Sequence, residues 1–211
     1  MPGTRLSQIA LAFALVTGLG YLFVLDLEGH WLLLLWKGLP VWLLSLYAAL
    51  NAQSRDGWLL ALVMALGSLG DILIESDLIR GALAFAAGHL VAIYLYAQHR
   101  REGLSASQKA LGFALVPLTP LIAWLLTHDP GVAFYALILG GMAAMAWTST
   151  FPRYRVGLGA VFFVASDLLI FANMGVLAGQ AWVSLAIWLL YFVGQAMIAM
   201  GVVGALSGRI R

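Results

Sequence analysis

Apolar residues run through this chain in eight stretches of 17 to 26 residues, separated by short polar joints. The stretches are Ser7–Leu25, Trp31–Leu50, Trp58–Ile74, Ile79–Ala97, Lys109–Leu126, Gly131–Trp147, Val156–Asn173 and Ala181–Leu206. Each is close to the length that a tilted membrane-spanning helix needs, about 20 residues. The joints are Asp26–His30, Asn51–Asp56, His99–Glu102, His128–Pro130, Pro152–Arg155 and Gly175–Gln180, none long enough for a soluble domain. Inside lipid a backbone must satisfy its own polar groups, so the stretches read as helices; the short alternating strands of a barrel are absent from the pattern. The expected fold is all-α and polytopic, with eight transmembrane helices forming a single membrane-embedded domain over residues 1–211.

Composition sharpens this. Hydrophobic residues make up 63% of the chain and charged ones 9%, which excludes an ordinary soluble domain. Eight Trp and seven Tyr suit a protein anchored at two lipid–water interfaces. A net charge of +2 gives no reason to expect nucleic acid, and the absence of cysteine removes disulfides, thiol nucleophiles and thiolate metal sites. Arg5 followed by Ile9–Val16 resembles a signal peptide, but Thr17-Gly18-Leu19-Gly20 is a poor cleavage site and the apolar run continues to Leu25, so the segment reads as a retained first helix. If every stretch spans, Arg5, Arg55, Arg100, Arg101, Lys109, Arg153, Arg155, Arg209 and Arg211 share one side. Arg80 falls on the other, with Asp26, Glu28, Glu75, Asp77 and Asp129. That bias predicts cytoplasmic termini and an even helix count, in what is expected to be a bacterial inner membrane.

The chain also hints at duplication. Gly70-Asp71-Ile72-Leu73-Ile74 resembles Ser166-Asp167-Leu168-Leu169-Ile170, and Gly88-His89 resembles Gly194-Gln195. Two parallel four-helix repeats would account for both matches.

Polar residues inside the spans are few: Lys37, Asp71, His89 and Asp167, with Ser68, Tyr94, Ser166, Asn173, Tyr191 and Gln195. A carboxylate at the bilayer centre costs about 2.5–3.5 kcal/mol on the most lenient scale, so Asp71 and Asp167 need a reason to be there. The depths of Lys37, Asp71, His89, Asp167 and Gln195, counted along their helices, are compatible with one cavity opening outward. Helical spacing puts Met64, Gly67, Ser68 and Asp71 on one stripe, Phe85 with His89, Phe163 with Asp167, and Trp188 and Tyr191 with Gln195. Ala84 and Gly88 would let another helix approach beside His89. Pro40 frees a carbonyl near Lys37 that can hold a cation.

Each residue also has a purely structural explanation. Lys37 can snorkel to the headgroups. Asp71 can be an interfacial acid, Asp167 a helix-locking hydrogen bond or half of a Lys–Asp pair, His89 a packing residue, and Tyr191 and Gln195 ties between helices. Glu75, Asp77 and Arg80 read as a solvated loop. One intramembrane His without Cys cannot make a His-rich zinc site; a carboxylate–His site stays open, and no metal or cofactor is assigned. No Gly-x-Ser-x-Gly elbow occurs, and neither Ser68 nor Ser166 forms a serine-hydrolase arrangement. Two carboxyls, a lysine and an imidazole remain, enough for acid–base chemistry on a lipid or for proton-coupled transport.

The motifs carrying these residues resemble those of the YhhN-like lysoplasmalogenase family of eight-helix membrane proteins. They are Lys37-Gly38-Leu39-Pro40, Gly67-Ser68-Leu69-Gly70-Asp71, the run Phe85–Tyr94 with Gly88-His89, the run Gly159–Asp167 with Ser166-Asp167, and Tyr191-Phe192-Val193-Gly194-Gln195. The family commonly has Lys-Pro where this chain has Lys37-Gly38, a departure that bears on the local kink.

The resemblance implies hydrolysis of the vinyl ether of a lysophospholipid substrate, a lysoplasmalogen, to a fatty aldehyde and a glycerophospho-head group. Such a reaction protonates the ether's β-carbon, adds water to the resulting oxocarbenium ion and collapses a hemiacetal. It needs a carboxylic acid held protonated and a carboxylate beside the cation, a division of labour that glycosidases also use. On this reading Asp167 is the donor and Asp71 the stabiliser or base, with the reverse close behind. His89 positions water or relays protons, and Lys37 holds the phosphate. Tyr191 and Gln195 orient the glycerol hydroxyl or an Asp, and Ser68, Ser166 and Tyr94 complete the substrate-binding set. The implied partners are the substrate and membrane lipids, with no protein partner. The competing readings are a proton-coupled carrier of a small solute or lipid and a lipid-binding scaffold without turnover.

Overall fold

The computed structural model of the chain describes residues 5–24 and 31–208. The joint Asp26–His30, the end of the first stretch at Leu25, and Arg209 and Arg211 lie outside the described residues. Eight helices follow one another: α1 (Arg5–Gly20), α2 (Trp31–Asn51), α3 (Arg55–Leu73), α4 (Leu78–Gln98), α5 (Ala106–Thr127), α6 (Pro130–Thr148), α7 (Leu158–Asn173) and α8 (Ala181–Leu206). A 3-10 turn over Tyr21–Phe23 extends α1, and a π turn over Arg153–Gly157 leads into α7. With those extensions all eight are long and apolar enough to cross a membrane, and the chain is an integral membrane protein.

The spans fall where hydropathy put them, with ends shifted by a few residues, and capping sets several of the starts. α3 begins at Arg55 because Ser54 accepts a bond from the Gly57 amide at 3.4 Å. α5 begins at Ala106 because Ser105 and Gln108 close a capping box. α6 starts at Pro130 behind Asp129, which accepts from the amides of Gly131 at 2.7 Å and Val132 at 3.3 Å. Arg55, Asp56, Arg153 and Arg155 sit in helical turns rather than in loops. Pro40 lies inside α2, and Pro117 and Pro120 inside α5, without ending either helix.

The chain packs as two compact units, Met1–Leu95 with Ala199–Arg211, and Tyr96–Ile198. The first unit takes in the end of α8, so the division is not one of four helices each.

In the first unit, α1 and α3 both pack against α2. The Trp36 indole donates to the Thr17 carbonyl at 3.1 Å, tying α2 to α1. α2 and α3 meet at Gly38, where a Cβ would lie 2.6 Å from Ile72 and 3.0 Å from the Ser68 carbonyl oxygen. α3 and α4 meet where Phe85 lies over Gly70, and again where Gly88 faces Leu66 and the Val63 carbonyl. Small residues at these points admit the neighbouring helix, as lipid-embedded packing requires.

In the second unit, α5 and α6 cross at Gly140, where a Cβ would be 2.6 Å from the Leu115 carbonyl oxygen. α7 and α8 cross at a pair of glycines. A Cβ on Gly159 would lie 2.7 Å from the Gly194 carbonyl, and one on Gly194 would lie 2.6 Å from the Gly159 carbonyl. At one end of this unit Arg101 donates to the carbonyls of Ser149 and Thr150, at 3.2 and 3.4 Å, joining the α4–α5 and α6–α7 connections.

Candidate functional site

Asp71 and Asp167 are both buried in protein, with 3% and 6% of their surface exposed, so neither faces lipid. They belong to different compact units.

In the first unit the α2–α3 contact at Gly38 sets the level of the polar groups. Lys37, next to Gly38, forms an ion pair with Glu75. Glu75 lies one helical turn beyond Asp71, and the chain there still follows helical bonding: the Ile74 amide bonds Gly70 and the Asp77 amide bonds Leu73. Asp71 and Glu75 therefore share a face. The Tyr21 hydroxyl lies within electrostatic range of both carboxyls. Ser68 donates its hydroxyl to the Gly38 carbonyl at 2.8 Å, so it ties α3 to α2. His89 is buried on α4, one turn past Phe85, whose ring covers Gly70.

Glu75 lies exposed in the turn after α3, as expected, and the structure adds its pairing with Lys37. Asp77 and Arg80 do pair with each other on the surface, at 3.2 Å. Tyr94 does not join the cluster. The Arg55 guanidinium stands 5.1 Å over its ring, at the start of α3, and the sixteen residues from Arg55 to Asp71 span about 24 Å of helix.

In the second unit the glycine crossing fixes the antiparallel register of α7 on α8. Gly159 meets Gly194, Phe163 meets Tyr191 edge-on with centroids 5.1 Å apart, and Ser166 donates to the Ile187 carbonyl at 3.0 Å. Tyr191 also contacts Trp188, with ring centroids 5.8 Å apart, and accepts from the Gln195 amide at 3.4 Å. The stripe read on α8 is thus a physical cluster. Asp167 accepts a hydrogen bond from the Tyr135 hydroxyl at 2.6 Å, and the Tyr135 ring stands perpendicular to Phe171.

Tyr135 bonds Asp167, Glu75 pairs with Lys37 and Tyr21 lies near two of the carboxyls; the reading of the chain assigned a site role to none of the three. For Tyr135 a signal existed. It lies five residues inside α6 from Pro130, and Asp167 lies six residues inside α7 from Asn173, so antiparallel neighbours bring them level. Tyr21 sits in an unbroken apolar run and carried no such mark. Among the described residues no group of three or more His, Cys, Asp or Glu side chains is placed to hold a metal ion.

Chemically, each unit offers a buried carboxyl with a phenol nearby. The first adds an imidazole and a lysine–glutamate pair, and the second adds an aromatic cluster with an amide. The model of the YhhN family matches residues 32–202, a stretch that contains each of the sequence-derived site residues. No curated protein and no solved structure matches the chain.

Proposed function

This chain belongs to the YhhN family, and from that premise we propose that it is a membrane hydrolase that cleaves the vinyl ether of lysoplasmalogens. The observation that carries the reading is the burial of two carboxyls, Asp71 and Asp167, inside helices of an eight-span protein. Such groups are expensive in a membrane and are kept where chemistry uses them.

The reaction proceeds in three steps. A carboxylic acid transfers its proton to the β-carbon of the alkenyl ether, and the π electrons form the new C–H bond, leaving an oxocarbenium ion. Water adds to the oxocarbenium carbon and gives up a proton to a carboxylate. The second carboxyl then gives that proton to the glycerol oxygen as it leaves, and the hemiacetal hydroxyl returns its own proton to the first carboxylate as the aldehyde forms. One water is consumed and the acid is regenerated. Asp167 is the donor and Asp71 the carboxylate that stabilises the cation and accepts the proton. His89 relays protons or holds the water. Lys37 binds the phosphate, Tyr191 and Gln195 orient the glycerol end, and Ser68 and Ser166 hold the helices that carry the two acids. The chain acts from a bacterial inner membrane with cytoplasmic termini.

The test is aldehyde release from a 1-alkenyl lysophospholipid by the purified protein in detergent, where no sealed membrane exists and transport has no meaning. Asp71→Asn and Asp167→Asn should each lower the rate by about 10²-fold or more while the proteins remain folded. Wild-type rates in either folded variant would overturn the assignment, and a wild-type protein that releases no aldehyde would overturn the activity.

A further inference from the structure

The Lys37–Glu75 pair stands at the polar end of α3, with the lysine partly buried and the glutamate exposed beside Ser76 and Asp77. One turn inward from Glu75, on α3, lies the buried Asp71. The Tyr21 hydroxyl lies within electrostatic range of Glu75 as well as of Asp71. Two opposite charges are thus held together where the apolar spans give way to polar chain.

We infer that this pair reads the substrate's head group by partner exchange: Lys37 leaves Glu75 to take a phosphate, and Glu75 takes the cationic amine of the same head group. The inference rests on the lysophospholipid reading for its substrate, and it adds Glu75 as the residue that sets head-group selectivity.

A carboxylate bound to a phosphate-holding lysine weakens phosphate binding unless the ligand brings a cation to replace the lysine. A zwitterionic head group returns a partner to both charges. An anionic head group without an amine takes Lys37 and leaves Glu75 unpaired beside a phosphate, and like charges side by side are strongly disfavoured. Lysine suits the exchange because its ammonium is a mobile point charge on a flexible stem, not a planar fork locked to one partner. The half-open position of the pair lets both groups move without unpacking α2 from α3, which are held together at Gly38 and Ser68.

The experiment measures binding to the whole chain in neutral maltoside micelles by tryptophan fluorescence. The probes are three saturated single-chain ether lipids of equal length with no vinyl ether: a glycerophosphocholine, a glycerophosphoglycerol and a phosphate monoester. The wild type should bind the phosphocholine about tenfold or more tightly than either anionic probe. Glu75→Gln should bring the three within about threefold by tightening the anionic ones, Glu75→Asp should keep the preference, and Lys37→Met should weaken all three. Equal wild-type binding of the three probes, or an unchanged ratio in Glu75→Gln, would overturn the inference. Should Glu75→Gln fail to fold, the wild-type comparison alone decides. Aldehyde release is followed separately. Discrimination without turnover removes the hydrolase and keeps the reader, whereas equal turnover of choline and glycerol head groups with equal binding removes the reader and keeps the hydrolase.

Discussion

Replacing Tyr135 by Phe removes one oxygen and leaves the ring edge-on to Phe171, with centroids 6.2 Å apart. The perturbation is therefore the 2.6 Å hydrogen bond to Asp167 and little packing. If Asp167 is the proton donor, it is neutral in the resting protein, and the bond is an ordinary interhelical one. Such bonds contribute about 0.6 kcal/mol on average in membrane helices and about 1.7 at most. A bond to a charged carboxylate would contribute about 1.5–3 kcal/mol. A distance of 2.6 Å suits either kind, so magnitude has to decide.

A double-mutant cycle over Tyr135→Phe and Asp167→Ala, which leaves the hydroxyl no acceptor, isolates the term when read by reversible unfolding with SDS in mixed micelles. The expected coupling is about 0.5–1.7 kcal/mol. Aldehyde release by Tyr135→Phe should fall about fivefold, because the bond is stronger to the carboxylate that forms on proton transfer than to the resting acid by about 1 kcal/mol. A coupling above about 2 kcal/mol would mean a charged Asp167 at rest and would move the donor role to Asp71. Zero coupling would refute the contact itself.

Other outcomes follow from the packing. Gly194→Ala puts a methyl 2.6 Å from the Gly159 carbonyl, backbone against side chain with no rotamer to escape through, and should cost about 1–3 kcal/mol of unfolding stability. Gly175→Ala, whose nearest neighbour is 3.9 Å away, should stay within about 0.5 kcal/mol, and equal losses in the two variants would count against the α7–α8 crossing. Asp129→Ala removes a cap with two bonds and should cost about 1–2 kcal/mol, whereas Ser54→Ala, with one bond at 3.4 Å, should cost about 0.5; the reverse order in SDS unfolding would contradict the capping geometry.

The eight spans and the positions of Asp71 and Asp167 were legible along the chain because a bilayer leaves the backbone one helical solution and penalises every charge in it. Stripes were legible too: Trp188, Tyr191 and Gln195 follow from helical period alone and are in contact. What a side chain meets on the next helix was not. That depends on rotation and axial offset, which here are set by backbone approaches at Gly38, Gly159 and Gly194 that leave no trace in hydropathy. For that reason Ser68 and Ser166 were read as site groups while their hydroxyls bond to carbonyls of α2 and α8. For the same reason the partner of Glu75 was not foreseen, Tyr135 went unnoticed, and Tyr94 was counted in the substrate-binding set although its ring lies under Arg55, a helix's length from Asp71. Solvent energetics acts residue by residue and can be read in one dimension; the choice of partner is a property of pairs and exists only once the helices have packed.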